Sequence, residues 1–194
     1  MVKMVGEKQN VCATLQWAMI ILAIGIASTV MTLVRAEDVI DVSTQGKSTE
    51  RRMVFYMHDI PRSPHPTVAL VAKSLSNNLT NSGLGVTLIF DDKLTEGPDP
   101  KSREIGRAQG MYSVASLRGV DLLMVFTAVF HYPPHLNGST LSLHGSDRTA
   151  LVTREIAVVG GTGVFRFARG VASISTISND RGNAILKFDL TLIL

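Results

Sequence analysis

Short apolar segments separated by turn residues dominate the sequence from Met53 to Leu194. Several of them are rich in β-branched and aromatic residues, and few residues remain between them for helices. Strands at this spacing are typical of an antiparallel barrel or sandwich, so the sequence predicts an all-β domain. The eight predicted strands are Met53–His58, Val86–Phe90, Gly106–Ser116, Val120–Phe130, Thr140–His144, Arg154–Val159, Val171–Ile177 and Ala184–Leu194.

The segments between these strands contain residues that interrupt regular structure. Residues 61–66 are rich in proline, which cannot donate to a β-ladder, so no strand is predicted there. Residues 67–79 show some helical periodicity, but two adjacent asparagines argue against a long helix. Residues 95–103 and 132–138 both contain prolines and are predicted to be loops.

A glycine turn, Gly160–Gly163, follows the predicted strand that ends at Val159. Such a turn is reminiscent of a dinucleotide-binding loop, in which glycines let a helix N-terminus approach a pyrophosphate. That loop needs another small residue about three positions on and a long helix behind it. Here Arg166 occupies that position, and the following residues are rich in Ser, Thr and Ile. The glycines are therefore predicted to serve a tight connection between strands.

The first 36 residues differ from the rest of the chain. Lys3 and Lys8 precede an apolar run, Trp17–Val34, and the small residues up to Ala36 fit a signal-peptidase site. A run of about 18 residues is also long enough for an uncleaved signal anchor. The predicted divisions of the chain are a signal peptide at 1–36, a flexible tail at 37–52 and a barrel domain at 53–194.

Cys12 and Trp17, the only residues of their types in the chain, both lie in this leader. A domain without them has no disulfide and must be stabilised by its core or by oligomerisation. The leader carries three basic residues and one acidic residue, so the formal net charge of +3 falls to +1 without it. Because the charge is small and forms no basic stripe, nucleic acid is not an expected partner. After cleavage of the leader, no membrane association is expected either.

Two glycosylation sequons occur in polar, turn-like neighbourhoods, at Asn78 and Asn137. Sequons in such neighbourhoods fit sugars on the surface loops of a secreted protein. We therefore expect both asparagines to be exposed.

His131 and His135 stand four residues apart, which is the spacing of two metal ligands on a helix. Pro133 and Pro134 lie between them and exclude a regular helix, so no metal site is predicted. Because no cofactor motif remains, no cofactor is expected, and neither is oxidation by this protein alone.

An eight-stranded barrel can hold one small ligand inside, so polar residues on apolar strands are candidate site residues. These residues are Asp59, Gln109, Tyr112, Asp147, Arg154 and Thr176. Each also has a purely structural interpretation. Asp59 precedes Ile60 and Pro61 and would suit a turn, while a charged strand residue such as Arg154 usually faces solvent.

Five blocks, in this order, resemble the plant dirigent protein family over about Met53 to Leu194. The blocks are Phe55–Ile60, Gly106–Tyr112, Gly138–Gly145, Arg154–Gly163 and Phe167–Gly170. The resemblance implies an eight-stranded antiparallel β-barrel, usually a homotrimer, secreted to the apoplast or cell wall. It also implies stereochemical control over the coupling or cyclisation of phenolic intermediates in phenylpropanoid and lignan biosynthesis. A separate laccase or peroxidase would make the phenoxy radicals.

The resemblance also assigns roles within the barrel. It implies that Asp59 and Asp147 are the two acids that assist cyclisation, that Arg154 is the partner arginine, and that Tyr112 and Thr176 bind the substrate. A carboxyl in a dry cavity has a raised pKa and becomes a usable general acid. A neighbouring arginine has the opposite effect and keeps its carboxylate ionised, so the two acids are expected to divide the roles.

Two segments, residues 92–98 and 132–137, resemble a branch of the family that includes legume pterocarpan-forming members. Those members dehydrate a 2′-hydroxyisoflavanol and close a ring. In addition, Val114 stands where lignan-forming members often carry a second aromatic residue. The sequence therefore leaves open a non-oxidising stereochemical guide and a cofactor-independent cyclising dehydratase. A weaker alternative is a defence protein that binds carbohydrate.

Overall fold

The computed structural model describes residues 49–73, 83–117 and 121–194. These ranges contain nine β-strands and two short 3₁₀ helices, Pro134–Leu136 and Gly163–Phe165. The strands are β1 Glu50–Asp59, β2 Val68–Ala72, β3 Thr87–Thr95, β4 Glu104–Val114, β5 Asp121–Phe130, β6 Thr140–Arg148, β7 Thr153–Thr162, β8 Arg169–Asp180 and β9 Asn183–Ile193. Within these ranges no helix has the length and hydropathy needed to cross a bilayer. The predicted leader lies outside them.

The sheet closes on itself through its first strand. From β3 to β9 each strand pairs antiparallel with the next, and β9 pairs with β1. β1 in turn pairs with β3, from Tyr56 opposite Thr95 to His58 opposite Lys93. The predicted eight-stranded antiparallel barrel is thereby confirmed. Because closure removes the free edges, the apolar faces of the strands turn inward around one core.

The ninth strand, β2, was not predicted. It pairs with the part of β3 that β1 leaves free, beginning at Val68 opposite Phe90. The expectation of helical periodicity in residues 67–79 is therefore wrong for residues 68–72. Ala69, Leu70 and Val71 are all exposed, so this strand lacks the alternation by which strands are recognised. Its conformation is set by backbone hydrogen bonds to β3, which overrule local propensity.

The first barrel strand begins earlier than predicted. Residues 50–52, which the sequence places in the tail, belong to β1 and pair with the end of β9. Arg52 Nε donates to Asp189 Oδ1 across these strands at 2.7 Å. The strand pairing is long-range, because these partners are 137 residues apart in sequence. Local sequence polarity therefore gave no sign of it.

Aromatic side chains fill one half of the barrel. Phe55 stacks on Phe188 with ring centroids 5.3 Å apart, and Phe126 meets Phe188 edge-on at 5.6 Å. Phe165, on the second 3₁₀ helix, packs against Phe130 at 5.5 Å and covers this end of the core. The opposite half of the barrel carries smaller and polar inward residues, and there the interior stays open.

The glycine turn has the structural role predicted for it. Gly163 adopts a φ of 64°, and a Cβ at this position would lie 2.4 Å from Ser139 Oγ. Only glycine is free of both the backbone strain and the steric overlap. After the one-turn helix the chain enters β8, so the long helix required by a dinucleotide-binding loop does not follow.

We predict that Phe188→Ala lowers the free energy of unfolding by about 3–5 kcal/mol, because it removes the ring on which Phe55 and Phe126 pack. Urea denaturation followed by circular dichroism measures the loss. Val152→Ala, at an exposed loop position, is the control and should change stability by less than about 0.5 kcal/mol. Equal effects of the two substitutions would contradict the assignment of this aromatic cluster as the core.

Candidate functional site

A cavity of about 480 Å³ opens at the end of the barrel that carries the β6–β7 and β8–β9 turns. This volume lies within the range of small-molecule sites, which is roughly 300–1,000 Å³. Its apolar wall includes Leu122, Met124 and Leu186. The structure also brings to it all five residues predicted from the sequence, namely Asp59, Tyr112, Asp147, Arg154 and Thr176.

Strand alternation explains why these polar side chains meet. Side chains two apart share a face of a strand, so Asp59 continues the inward row of Phe55 and Met57. Asp147 likewise continues the inward row of Leu141 and Leu143. Both inward rows are apolar at the closed end of the barrel, and both become polar at its open end. Gln109, by contrast, is exposed and faces outward, which removes it from the candidates.

Asp147 and Arg154 form a buried ion pair. They face each other on β6 and β7, and Arg154 Nε donates to Asp147 Oδ1 at 2.5 Å. Their side chains are only 3% and 4% exposed, respectively. Two charges so far from water are tolerated because each compensates the other. The alternative interpretation of Arg154 as a solvent-facing charge is therefore wrong, and the pair supplies a fixed carboxylate and a fixed cation to the cavity wall.

Asp59 has a different environment. Burial raises its pKa to about 6, and a hydrogen bond from the Tyr112 hydroxyl partly opposes this rise. Burial also raises the pKa of Tyr112, so its hydroxyl stays protonated and acts as a donor. Tyr112 is held in place by stacking on Phe90 at 5.7 Å between ring centroids. Asp59 therefore keeps a large protonated fraction at mildly acidic pH, as a general acid requires.

Asp92 is a buried acid that was not among the predicted site residues, because the predicted strand ends at Phe90. It lies on the inner face of β3 between Phe90 and Leu94 and is 0% exposed. Burial raises its pKa to about 8, while a hydrogen bond from the Thr67 hydroxyl opposes the rise. The alternation of Phe90, Asp92 and Leu94 was the available signal, since it places a carboxyl in an apolar row.

Two further predictions concern the glycosylation sequons and metal binding. Asn137 is exposed directly after the first 3₁₀ helix, as expected of a glycosylated asparagine. Asn78 lies outside the described residues. In the part of the chain that the structure describes, no group of three or more His, Cys, Asp or Glu side chains is placed to hold a metal ion.

A second cavity, of about 430 Å³, involves His58, Lys93 and Arg107. His58 alternates with the inward residues Met57 and Asp59, so this cavity lies on the outer side of the barrel wall. None of the five predicted site residues lines it. The inner cavity is therefore the candidate functional site.

A family model described as Dirigent-like protein matches residues 50–193, which include every described strand. The chain belongs to the dirigent family. Dirigent protein 1 of Arabidopsis thaliana is 39% identical over 148 residues, covering 75% of this chain and 81% of that protein. Pterocarpan synthase 1 of Glycyrrhiza echinata is 39% identical over 139 residues, covering 70% of this chain and 73% of that protein.

The barrel of this dirigent protein is also similar to solved structures. A pterocarpan synthase dirigent protein superimposes with a TM-score of 0.69 at 37% identity, covering 75% of this chain and 85% of the other. A second pterocarpan synthase dirigent protein gives a TM-score of 0.68 at 37% identity, covering 75% and 95%. The family and the barrel fold expected from the sequence blocks are thus confirmed.

We predict that Arg154→Leu destabilises this dirigent protein by about 3–5 kcal/mol at pH 7, because it leaves Asp147 as an uncompensated buried charge. A carboxyl that is buried without a cation favours its neutral form. The variant should therefore regain stability as the pH falls and this carboxyl takes up a proton. Urea denaturation at pH 7 and pH 5 measures both effects.

Arg148→Leu is the matched control, since Arg148 lies on the same hairpin but is exposed. It should change stability by less than about 0.5 kcal/mol at either pH. The ion-pair interpretation is refuted if the two arginine variants lose equal stability, or if Arg154→Leu shows no recovery in acid.

Proposed function

We propose that this dirigent protein binds a phenolic intermediate in its inner cavity and fixes the stereochemistry with which that intermediate couples or cyclises. The observation that carries the proposal is the meeting of two carboxyls with different environments in one cavity. Asp59 is half-buried beside a tyrosine, whereas Asp147 is paired with Arg154. In the lignan-type reaction, a separate laccase or peroxidase supplies the radicals.

The cavity suits a phenolic ligand. Its wall combines apolar side chains such as Met124 and Leu186 with a few polar groups, the usual composition of small-molecule sites. Apolar contact area contributes most of the affinity, and the polar groups fix the orientation. A ligand held in one orientation presents one face to the attacking group, which is how a cavity imposes handedness.

The two acids divide the proton transfers. In the cyclisation of a quinone methide, a hydroxyl attacks the electrophilic carbon while the quinone oxygen gains a proton. Asp59 donates that proton, and the Asp147 carboxylate accepts the proton that the attacking hydroxyl releases. One proton enters the substrate and one leaves it, so no oxidant is required. General acid or base catalysis of this kind contributes about 10²–10⁴-fold.

A pterocarpan-synthase-type dehydratase is the second candidate function. It is favoured by the relatives named pterocarpan synthase, at 37–39% identity, and by the solved pterocarpan synthase dirigent proteins. The same residues serve this reaction. Asp59 protonates the departing hydroxyl of a 2′-hydroxyisoflavanol, which leaves as water, and Asp147 accepts the proton of the phenol that closes the ring.

The proposed assembly is a secreted homotrimer. Exposed apolar side chains lie together on the outer face of β3, β4, β5 and β7, and they include Ile89, Met111, Val125 and Val159. A contiguous apolar patch on a small domain marks an interaction surface. Secretion to the apoplast is the usual location within the family and fits the exposed sequon at Asn137. A carbohydrate-binding defence role stays a weaker alternative.

We predict that Asp59→Asn and Asp147→Asn each lower product formation by about 10²-fold or more while ligand binding persists, because an amide keeps the shape but does not titrate. The assay incubates the protein with a 2′-hydroxyisoflavanol, and separately with coniferyl alcohol plus laccase. Chiral chromatography reads both reactions and distinguishes the dehydratase from the stereochemical guide. Asp99→Asn, at an exposed loop acid, is the control. Full activity in folded Asp59→Asn and Asp147→Asn proteins would leave only a passive cavity.

The trimer gives a separate prediction. Sedimentation at micromolar concentration should show a trimer for the wild type and a monomer for Val125→Glu, because the substitution places a charge in the centre of the apolar patch. Val164→Glu introduces the same charge at an exposed position outside the patch and should remain trimeric. A wild-type monomer would rule out the proposed assembly.

A further inference from the structure

Asp92 lies where β3 changes its neighbour. The β1–β3 ladder ends with His58 opposite Lys93, and the β2–β3 ladder begins with Val68 opposite Phe90. Continuing the first register by one residue places Asp59 opposite Asp92. Both side chains lie on the inner face of the barrel, and facing residues of antiparallel strands have Cβ atoms about 4.5–5.5 Å apart. Asp59 also acts electrostatically on Asp92, as a nearby carboxyl would.

Each of these two carboxyls has a hydrogen-bond donor beside it and one oxygen that has no partner. Asp59 is bonded by Tyr112, and Asp92 Oδ1 accepts from the Thr67 hydroxyl. Asp59 Oδ1 and Asp92 Oδ2 are buried and have no hydrogen-bond partner among the described residues. An orphaned buried oxygen is costly. One proton held between the two carboxyls would satisfy both oxygens, because the protonated acid donates and the ionised one accepts.

We infer that Asp92 is a positioning residue for Asp59. It shares a proton with the Asp59 carboxyl and so keeps a proton available to that acid. The inference rests on the proposed role of Asp59 as the proton donor. It assigns to each acid its own support. Asp147 has a cation beside it, whereas Asp59 has a second acid with which it shares a proton.

The surrounding charges agree with this arrangement. The groups that act on Asp92 besides Thr67 are Asp59 on β1, Asp91 on β3, and Arg107 on β4. Burial has the largest effect and raises the pKa of Asp92 to about 8; the two aspartates raise it further, and Arg107 opposes them. Asp92 in turn helps to raise the pKa of Tyr112, on β4.

The facing acids titrate as a pair, so their protons belong to both. The pKa values of about 6 for Asp59 and about 8 for Asp92 mean that the pair holds one proton between these pH values. This follows the general rule that two adjacent buried carboxyls do not both ionise readily.

The first test is the pH profile of product formation by the full chain carrying Asp92→Asn. The amide keeps the shape but removes the second proton, and its N–H group favours the ionised form of Asp59. Activity should therefore be lost at lower pH than in the wild type. A displacement of two pH units, from about 8 to about 6, would lower the rate at pH 7 about tenfold relative to that at pH 5. The effect should fall on kcat, with KM unchanged.

Asp91→Asn is the matched control, because Asp91 is the neighbouring acid on β3 but is exposed and bonded to Arg107. Among the groups that act on Asp92, Asp91 has the smallest effect, so the pH profile of Asp91→Asn should stay close to that of the wild type. Asp92→Asn with a wild-type profile would overturn the inference, as would an equal displacement in both variants.

The second test needs no substrate, so it separates this inference from the proposed function. Infrared spectroscopy of the full chain at pH 7 should show the C=O stretch of a buried protonated carboxyl. The band should be absent in Asp92→Asn and present in Asp91→Asn. A wild-type protein without the band, or an Asp92→Asn protein that retains it, would refute the shared proton even if the catalytic proposal held.

A variant of Thr67 gives an effect of opposite sign. The Thr67 hydroxyl stabilises the ionised form of Asp92, so Thr67→Val should make the infrared band persist to higher pH. Thr67→Ser keeps the hydroxyl and should leave the titration unchanged. A band that disappears at the same pH in all three proteins would show that the hydroxyl does not act on this proton.

Discussion

The pairing of β1 with β3 is the contact on which the site depends. β9 covers one edge of β1 along its whole length, whereas β3 pairs with its other edge through only three residue pairs, ending at His58 and Lys93. This short ladder converts a sheet into a barrel and so creates a dry interior. It also ends just before Asp59 and Asp92, which places two carboxyls at the junction. The feature that closes the fold thus also positions its most perturbed acids.

The carboxyls of Asp147 and Asp59, both inside the barrel, are stabilised in two different ways. Arg154 pairs directly with Asp147, and this fixed cation compensates the negative charge of the carboxylate. Asp59 has no such partner, and burial makes it retain its proton up to about pH 6. Because pKa values separate when environments differ, one cavity can hold an acid and a base at the same pH. This separation is the physical basis of the proton transfers proposed for this dirigent protein.

The division of the barrel into two halves determines where that chemistry can take place. Stacked rings, including Phe55 and Phe188, fill one half and leave no room for a ligand. In the other half, smaller residues such as Ala184 leave space for a ligand beneath the turns. The turns at the open end are therefore the segments that can change the shape of the cavity without disturbing the aromatic core. The closed end holds the aromatic core, and the open end surrounds the cavity.

The sequence by itself determined the eight barrel strands and the family, because alternation and ordered motifs are local properties. Only the resemblance to the family implied that Asp147 and Arg154 belong to one site. The sequence did not determine β2, which has no apolar alternation and exists through hydrogen bonds to β3. Nor did it indicate that Asp92 lies close enough to Asp59 to be affected by its charge, although each lies in an inward row. Alternation shows which residues of one strand share a face, but only the long-range pairing of strands decides which rows become neighbours, and that neighbourhood sets the protonation of the site.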